Sequence, residues 1–402
     1  MSDSPWHHPR PLFALVAVAA CESFAYYAAR SQFVTELGAR LGDHEAIGRA
    51  LGLLTFSATL VALLAGIAVD LGGARRMAIA GGVLMGAGLL ALMAPFNATL
   101  YAGLGLVVAG RGLAHIGVLA VVGDLYAPGD HRGDAGFTLA FFGINLGGAL
   151  GPLGAGMMAV YVAGEAGFGA AAAVALLGAL VLALRRPAHE QPVSAGSWPA
   201  GRAIGTLAVL VLCVTTINLA TETASLIAVL SAGGPPMMVD PDTELVIAVL
   251  AFAVGVLLVP LLAAWLWLRL GPRQPSSPAK ILLGAVLTAA GLLLFAAVPL
   301  DHTTGPAARS MWHGTRGLLA EILVAPIALS LISRMAPPRL RGTALGLWQS
   351  SSLLIVAYAF SPLQRALFAT DLALTDLLLP GIALAAGAAG YALFALLGLT
   401  RK

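Results

Sequence analysis

The sequence predicts an all-α polytopic membrane protein of twelve transmembrane helices in two six-helix bundles. Three observations lead there. The chain of 402 residues is 59% hydrophobic and only 10% charged, whereas a soluble domain carries about 25% charged residues. That leaves too little polar surface to cover a soluble globule, so lipid must be part of the solvent. Apolar runs of about 20 residues, the length of a bilayer-spanning helix, recur along the whole chain. The cations between these runs sit mostly on alternate loops.

The runs lie at 11–36, 46–70, 76–95, 98–123, 135–162, 166–184, 203–231, 243–269, 279–299, 310–335, 342–367 and 374–398. In the first run, Val18-Ala19-Ala20-Cys21 has the shape of a lipoprotein cleavage box. The apolar run continues past Cys21 for a full span, so the segment reads as the first helix rather than a cleaved leader. One set of loops carries Arg75, Arg76, Arg132, Arg185, Arg186, Arg202, Arg269, Arg273 and Lys280, among others. The alternate loops carry only Arg40, Arg49, Arg309 and Arg365. Excess Lys and Arg marks cytoplasmic loops, so both termini are expected in the cytoplasm, in keeping with an even number of spans. The widest polar gap, RRPAHEQPVSAGSWPAGR at 185–202, divides the chain into bundles 1–184 and 203–402. Two six-helix halves around a midplane site are a common plan for secondary transporters.

In the fifth run Gly143, Gly147 and Gly151 recur every four residues, and Ala155 continues the row. Such a stripe of small residues lets another helix approach closely. The two cysteines, Cys21 and Cys213, lie in apolar runs of opposite halves. They read as small buried hydrophobes, not as a disulfide or metal framework.

Charge inside the spans is the informative feature. Glu22, Glu222 and Glu321 lie deep in apolar runs, and Arg111 and His115 interrupt a fourth. A charged side chain at the bilayer centre costs about 2.5–3.5 kcal/mol on insertion scales, and such residues normally face a wet interior path. The pattern implies a membrane protein that moves something polar. Glu22, Tyr26 and Arg30 are four apart and share a helix face. Arg111 and His115 are also four apart. Arg111 cannot lose its proton and needs a carboxylate or carbonyl partner. His115 can titrate near neutral pH, or it can be a satisfied structural residue. Asn218 shares a face with Glu222, while Arg316 and Glu321 lie five apart and need not touch. A carboxylate whose cation partner changes between two conformations would take and release a proton. The alternative for each Glu is a static salt bridge.

Asp70, in GIAVDLGGARR at 66–76, sits just before Arg75 and Arg76. An acid there can bind the positive N-terminus of a facing helix in one conformation, or merely balance the two arginines. No phosphate-binding loop, nucleophile triad or metal cluster stands out, which disfavours an enzyme and implies no cofactor. A net charge of +3 gives no reason to expect nucleic acid.

Several segments resemble a known family. GIAVDLGGARR resembles the loop between helices two and three of major facilitator transporters. CESFAYYAAR at 21–30 is similar to the first-helix motif of the proton-dependent oligopeptide transporters. Residues 110–148 resemble that family's fourth and fifth helices, and residues 260–280 and 320–348 resemble its eighth-to-ninth and tenth-to-eleventh regions. The resemblance places Tyr26, Tyr27, Arg30, Asn145, Glu222 and Glu321 where the family keeps substrate or coupling residues. It implies that a peptide carboxylate is held by Arg30 with His115, and its amine by Asn145 with Glu321. The chain departs from the family at Ala19, which replaces the first acid; at Ser23, which replaces an arginine; and at His115-Ile116, which replaces Lys-Pro. Arg111 would restore a lost cation one turn away.

The expectation is therefore a multi-pass protein of the bacterial inner membrane, working as a monomer by proton-coupled symport of short peptides or peptide-like zwitterions. Glu22, Glu222 and His115 would carry protons. Arg30 and Arg111 would bind the carboxylate, and Asn145 and Glu321 the amine. Asp70, Arg75 and Arg76 would form a conformational gate. Export or uniport of another metabolite, or a non-transporting sensor that keeps the fold, are the alternatives.

Overall fold

The computed structural model describes residues 8–41, 44–94, 97–127, 129–185, 258–284 and 323–350, with 205, 207–208 and 286–287 as short pieces. Six helices come first: α1 (Pro11–Leu41), α2 (His44–Gly72), α3 (Ala74–Leu92), α4 (Asn97–Asp124), α5 (Gly133–Tyr161) and α6 (Ala166–Leu184). Later come α7 (Val259–Leu270), α8 at 277–284, α9 (Leu323–Met335) and α10 at 341–350. Among the described residues, five helices are long and apolar enough to cross a membrane. All but 205 and 207–208 of the expected span at 203–231, the whole span at 374–398, and Asn218, Glu222, Arg316 and Glu321 lie outside the described residues.

The chain divides into two compact units. One comprises Met1–Trp198 with Ile332–Ser350, the other Pro199–Leu331 with Ser351–Lys402. In the first, α1 packs on α5 and α6, α3 on α4 and α6, and α2 on α4. Small residues set these contacts. A Cβ on Gly143, Gly147 or Gly151 would strike the backbone of Val16, Ala20 or Phe24 on α1. The four-residue glycine row of α5 is thus the surface on which the α1 backbone rests. The α3–α4 contact repeats the device at a seven-residue spacing. A Cβ on Gly88 would meet the Gly103 carbonyl oxygen at 2.7 Å, and one on Gly81 the Gly110 carbonyl oxygen at 2.7 Å.

The helix ends have local causes. Gly73, at φ 86°, takes the left-handed turn that separates α2 from α3. Arg75 donates to the carbonyls of Leu182, Ala183 and Arg185. It thereby caps the C-terminal carbonyls of α6, which have no partner within their own helix. Ahead of α1, His8 Nδ1 lies 3.0 Å from the hydroxyl of Tyr126 in the α4–α5 connection. Burial, with the nearby Arg132 charge, lowers the His8 pKa to about 4 against an opposing pull from Asp130. Asp130 is pushed up by burial, yet hydrogen bonds from the Arg132 side chain and backbone, with the charges of Arg132 and His131, hold it below its ordinary value.

In the second unit, Lys280 on α8 is fully buried. Its Nζ donates to Gln274 Oε1 at 2.5 Å and lies 4.5 Å from the ring centre of Trp267 on α7. The two helices are thereby stapled across the 271–276 turn.

Candidate functional site

The first unit encloses an ionic cluster built by α1 and α4. Glu22 is 4% exposed. One carboxylate oxygen, Oε2, pairs with the Arg111 guanidinium. The other, Oε1, lies 2.9 Å from His115 Nδ1. The four-residue spacing of Arg111 and His115 makes this possible, because it places both on the α4 face turned toward α1. Ser23 bridges the pair: its Oγ donates to Glu22 Oε1 at 3.2 Å and accepts from Arg111 Nη1 at 3.3 Å. The Arg111 guanidinium also sits 5.0 Å from the ring centre of Tyr26, a cation–π contact. Tyr26 in turn meets Tyr27 edge to face at 5.3 Å. Below the charges, Tyr26 joins an apolar core with Ala25, Met85, Leu89, Val107 and Phe168. The cation therefore has the carboxylate partner that its burial demands.

Not every candidate joins this cluster. Arg30 is exposed, two turns beyond Glu22 on α1. Asn145 lies on α5, and its Nδ2 is buried with no hydrogen-bond partner among the described residues. An orphaned amide of that kind is costly unless something else satisfies it.

A second constellation lies at the end of the bundle where α2 meets α3. Asp70 Oδ1 accepts from the Gly342 backbone N–H at 2.7 Å. Its Oδ2 accepts from the Thr343 N–H at 2.7 Å and the Thr343 hydroxyl at 2.6 Å. Gly342 and Thr343 open α10, so the acid occupies the positive end of that helix. Close approach makes the contact possible: a Cβ on Gly342 would fall 2.6 Å from the Gly66 carbonyl oxygen. Arg341 pairs with Asp124 at the end of α4, and its Nε donates to the Ser333 carbonyl at 3.0 Å. Arg334 donates to Asp134 at the start of α5 at 2.8 Å. Arg75 caps α6, and Arg76 is exposed.

Residues 12–362 match the description of the Major Facilitator Superfamily. The chain belongs to that superfamily. This major facilitator is 26% identical to an uncharacterized transporter of Bacillus subtilis, over 94% of this chain and 93% of that protein. It is 27% identical to a peptide transporter of Yersinia enterocolitica, over 86% of each. A crystal structure of the peptide transporter POT in complex with sulfate superposes with a TM-score of 0.62 at 22% identity, covering 98% of this chain and 96% of that one. A POT family transporter in complex with a thioalcohol-conjugated peptide gives a TM-score of 0.65 at 16% identity, covering 98% and 97%. The fold is that of the major facilitators. The chain is a multi-pass membrane transporter of a small-molecule substrate, not an enzyme, and over most of its length it is similar to peptide transporters.

Sequence reasoning missed several members of both constellations. Ser23 stood out only as a departure from the family motif. Its position beside Glu22, on a helix whose partner carries a lone arginine, was the available signal. Asp124 and Asp134 flank the α4–α5 connection, and Arg334 and Arg341 flank 336–340. Acids bracketing one loop and cations bracketing another form a complementary pattern, but nothing in one dimension states that the loops meet.

Proposed function

We propose that this major facilitator is a proton-coupled symporter of short peptides or peptide-like zwitterions, acting as a monomer in the bacterial inner membrane. The observation that carries the reading is a buried carboxylate, Glu22, with one oxygen on a permanent cation, Arg111, and the other on a titratable ring, His115. Protonating this cluster weakens the hold of Glu22 on Arg111. The guanidinium then becomes available to a substrate carboxylate, and losing the proton restores the original pair. Tyr26 and Tyr27 line the same stretch of α1, and Arg30 lies farther along it as a second cation. The orphaned amide of Asn145 has the donor and acceptor that a peptide's polar ends require. Glu321 is proposed to meet the substrate amine and Glu222 to carry a second proton. The names of the related peptide transporters support the substrate class.

Alternating access would rock 1–184 against 203–402 about the 185–202 linker. The contacts of Asp70 with Gly342 and Thr343, and the pairs Arg341–Asp124 and Arg334–Asp134, would hold the cytoplasmic side shut and would have to release together. Arg75 and Arg76 would contribute to this gate through the α2–α3 loop.

The test is uptake of labelled dialanine by purified protein in liposomes with an inward proton gradient. Accumulation above equilibrium that collapses with a protonophore is expected. Equilibration without accumulation would indicate a uniporter. Binding without flux would indicate a sensor and overturn the proposal.

A further inference from the structure

The segment around α7 presents an exposed face that carries none of the candidate site residues. Leu258, Leu262, Trp265 and Arg269 follow one another at helical spacing on one face, with Arg273 in the turn beyond. Leu258 is 52%, Leu262 60% and Trp265 55% exposed, and Arg269 and Arg273 are exposed as well. The opposite face, with Pro260, Ala264 and Trp267, is buried. An apolar stripe therefore ends in a tryptophan and then two cations, the order in which hydrocarbon, interface and headgroup follow one another in a membrane. The Arg269 guanidinium lies 5.4 Å from the ring centre of Trp265, a cation–π contact that holds the charge beside the ring.

The charge balance gives this surface its chemistry. Residues 245–300 contain no Asp or Glu, yet they include Arg269, Arg273 and Lys280. Lys280 is buried against Gln274 and Trp267, which leaves the two arginines facing outward. Arg presents a planar fork that matches phosphate oxygens bidentately. On the cytoplasmic assignment of these loops, the anion available at this depth is a lipid phosphate.

We propose that Trp265, Arg269 and Arg273 form a binding site for the headgroup of an anionic phospholipid in the cytoplasmic leaflet, whose acyl chains lie along Leu258 and Leu262. The site prefers phosphatidylglycerol to phosphatidylcholine because the latter carries its own cation.

Native mass spectrometry of the purified full-length protein, titrated with phosphatidylglycerol or phosphatidylcholine of equal chain length, tests the site. About 30-fold tighter retention of the anionic lipid is expected from two arginines near the headgroup. Arg269→Gln with Arg273→Gln should abolish that preference, while Arg10→Gln, at an exposed cation elsewhere, should leave it intact. Inorganic phosphate at millimolar concentration should not compete. Equal retention of both lipids would overturn the proposal. So would a preference that survives the double substitution, competition by free phosphate, or a dimer peak that disappears with Trp265→Ala.

Discussion

At the residue scale, the Glu22–Arg111–His115 cluster explains why charge is tolerated in α1 and α4. Each member is expensive alone and acceptable together, because both oxygens of Glu22 are engaged and Ser23 closes the network. Arg111→Ala leaves a buried carboxylate without its cation. We expect a loss of about 3–5 kcal/mol in unfolding free energy, the usual result of removing one partner of a buried pair. Combining it with Glu22→Gln should recover part of that loss, and denaturant unfolding of the double variant measures the coupling. The need for a partner could be read from the sequence, since an arginine in an apolar span must find an acceptor. Its identity could not. Glu22 is 89 positions away, and only the packing of α1 against α4 brings it to Arg111. Nor could the sequence tell that Arg30, on the same face as Glu22, would stand apart and exposed.

At the element scale, helix positions could be read because bilayer length and apolar composition act locally. The run at 166–184 coincides with α6, and the run at 98–123 lies within α4. The glycine row of α5 could also be read as a contact surface, although not which helix it would meet. A matched pair of substitutions tests it. Gly147→Ala places a methyl group on the Ala20 backbone and should cost about 1–3 kcal/mol, as overpacking does. Gly156, with open space around it, should accept alanine with no loss. Thermal unfolding of the two variants in the same detergent compares them directly. The Gly81/Gly88 and Gly103/Gly110 contact was equally present in the sequence. Its seven-residue spacing is harder to see than a four-residue row in a chain with 48 glycines.

At the scale of the whole molecule, 332–350 clusters with the first six helices, held by one carboxylate on the start of a helix and by two ion pairs. Releasing Asp70 should loosen that end of the bundle. Ser333 is 2% exposed. A Ser333→Cys probe, on a background with Cys21 and Cys213 replaced by alanine, should therefore react slowly with a maleimide, and severalfold faster once Asp70→Ala is added. An unchanged rate would mean that the ion pairs Arg341–Asp124 and Arg334–Asp134 hold that end of the bundle without Asp70. The sequence places Asp70 where an acid can cap a facing helix. That α10 is the helix it caps depends on contacts between residues more than 270 positions apart, which no local pattern encodes. The most direct measurement of the central claim compares two modes of transport in liposomes containing Glu22→Gln. If Glu22 couples proton and substrate through Arg111, the variant should lose gradient-driven accumulation of dialanine while retaining exchange between loaded liposomes and labelled substrate at equal pH. Full accumulation by the variant, or equal loss of accumulation and exchange in protein that still folds, would contradict the account.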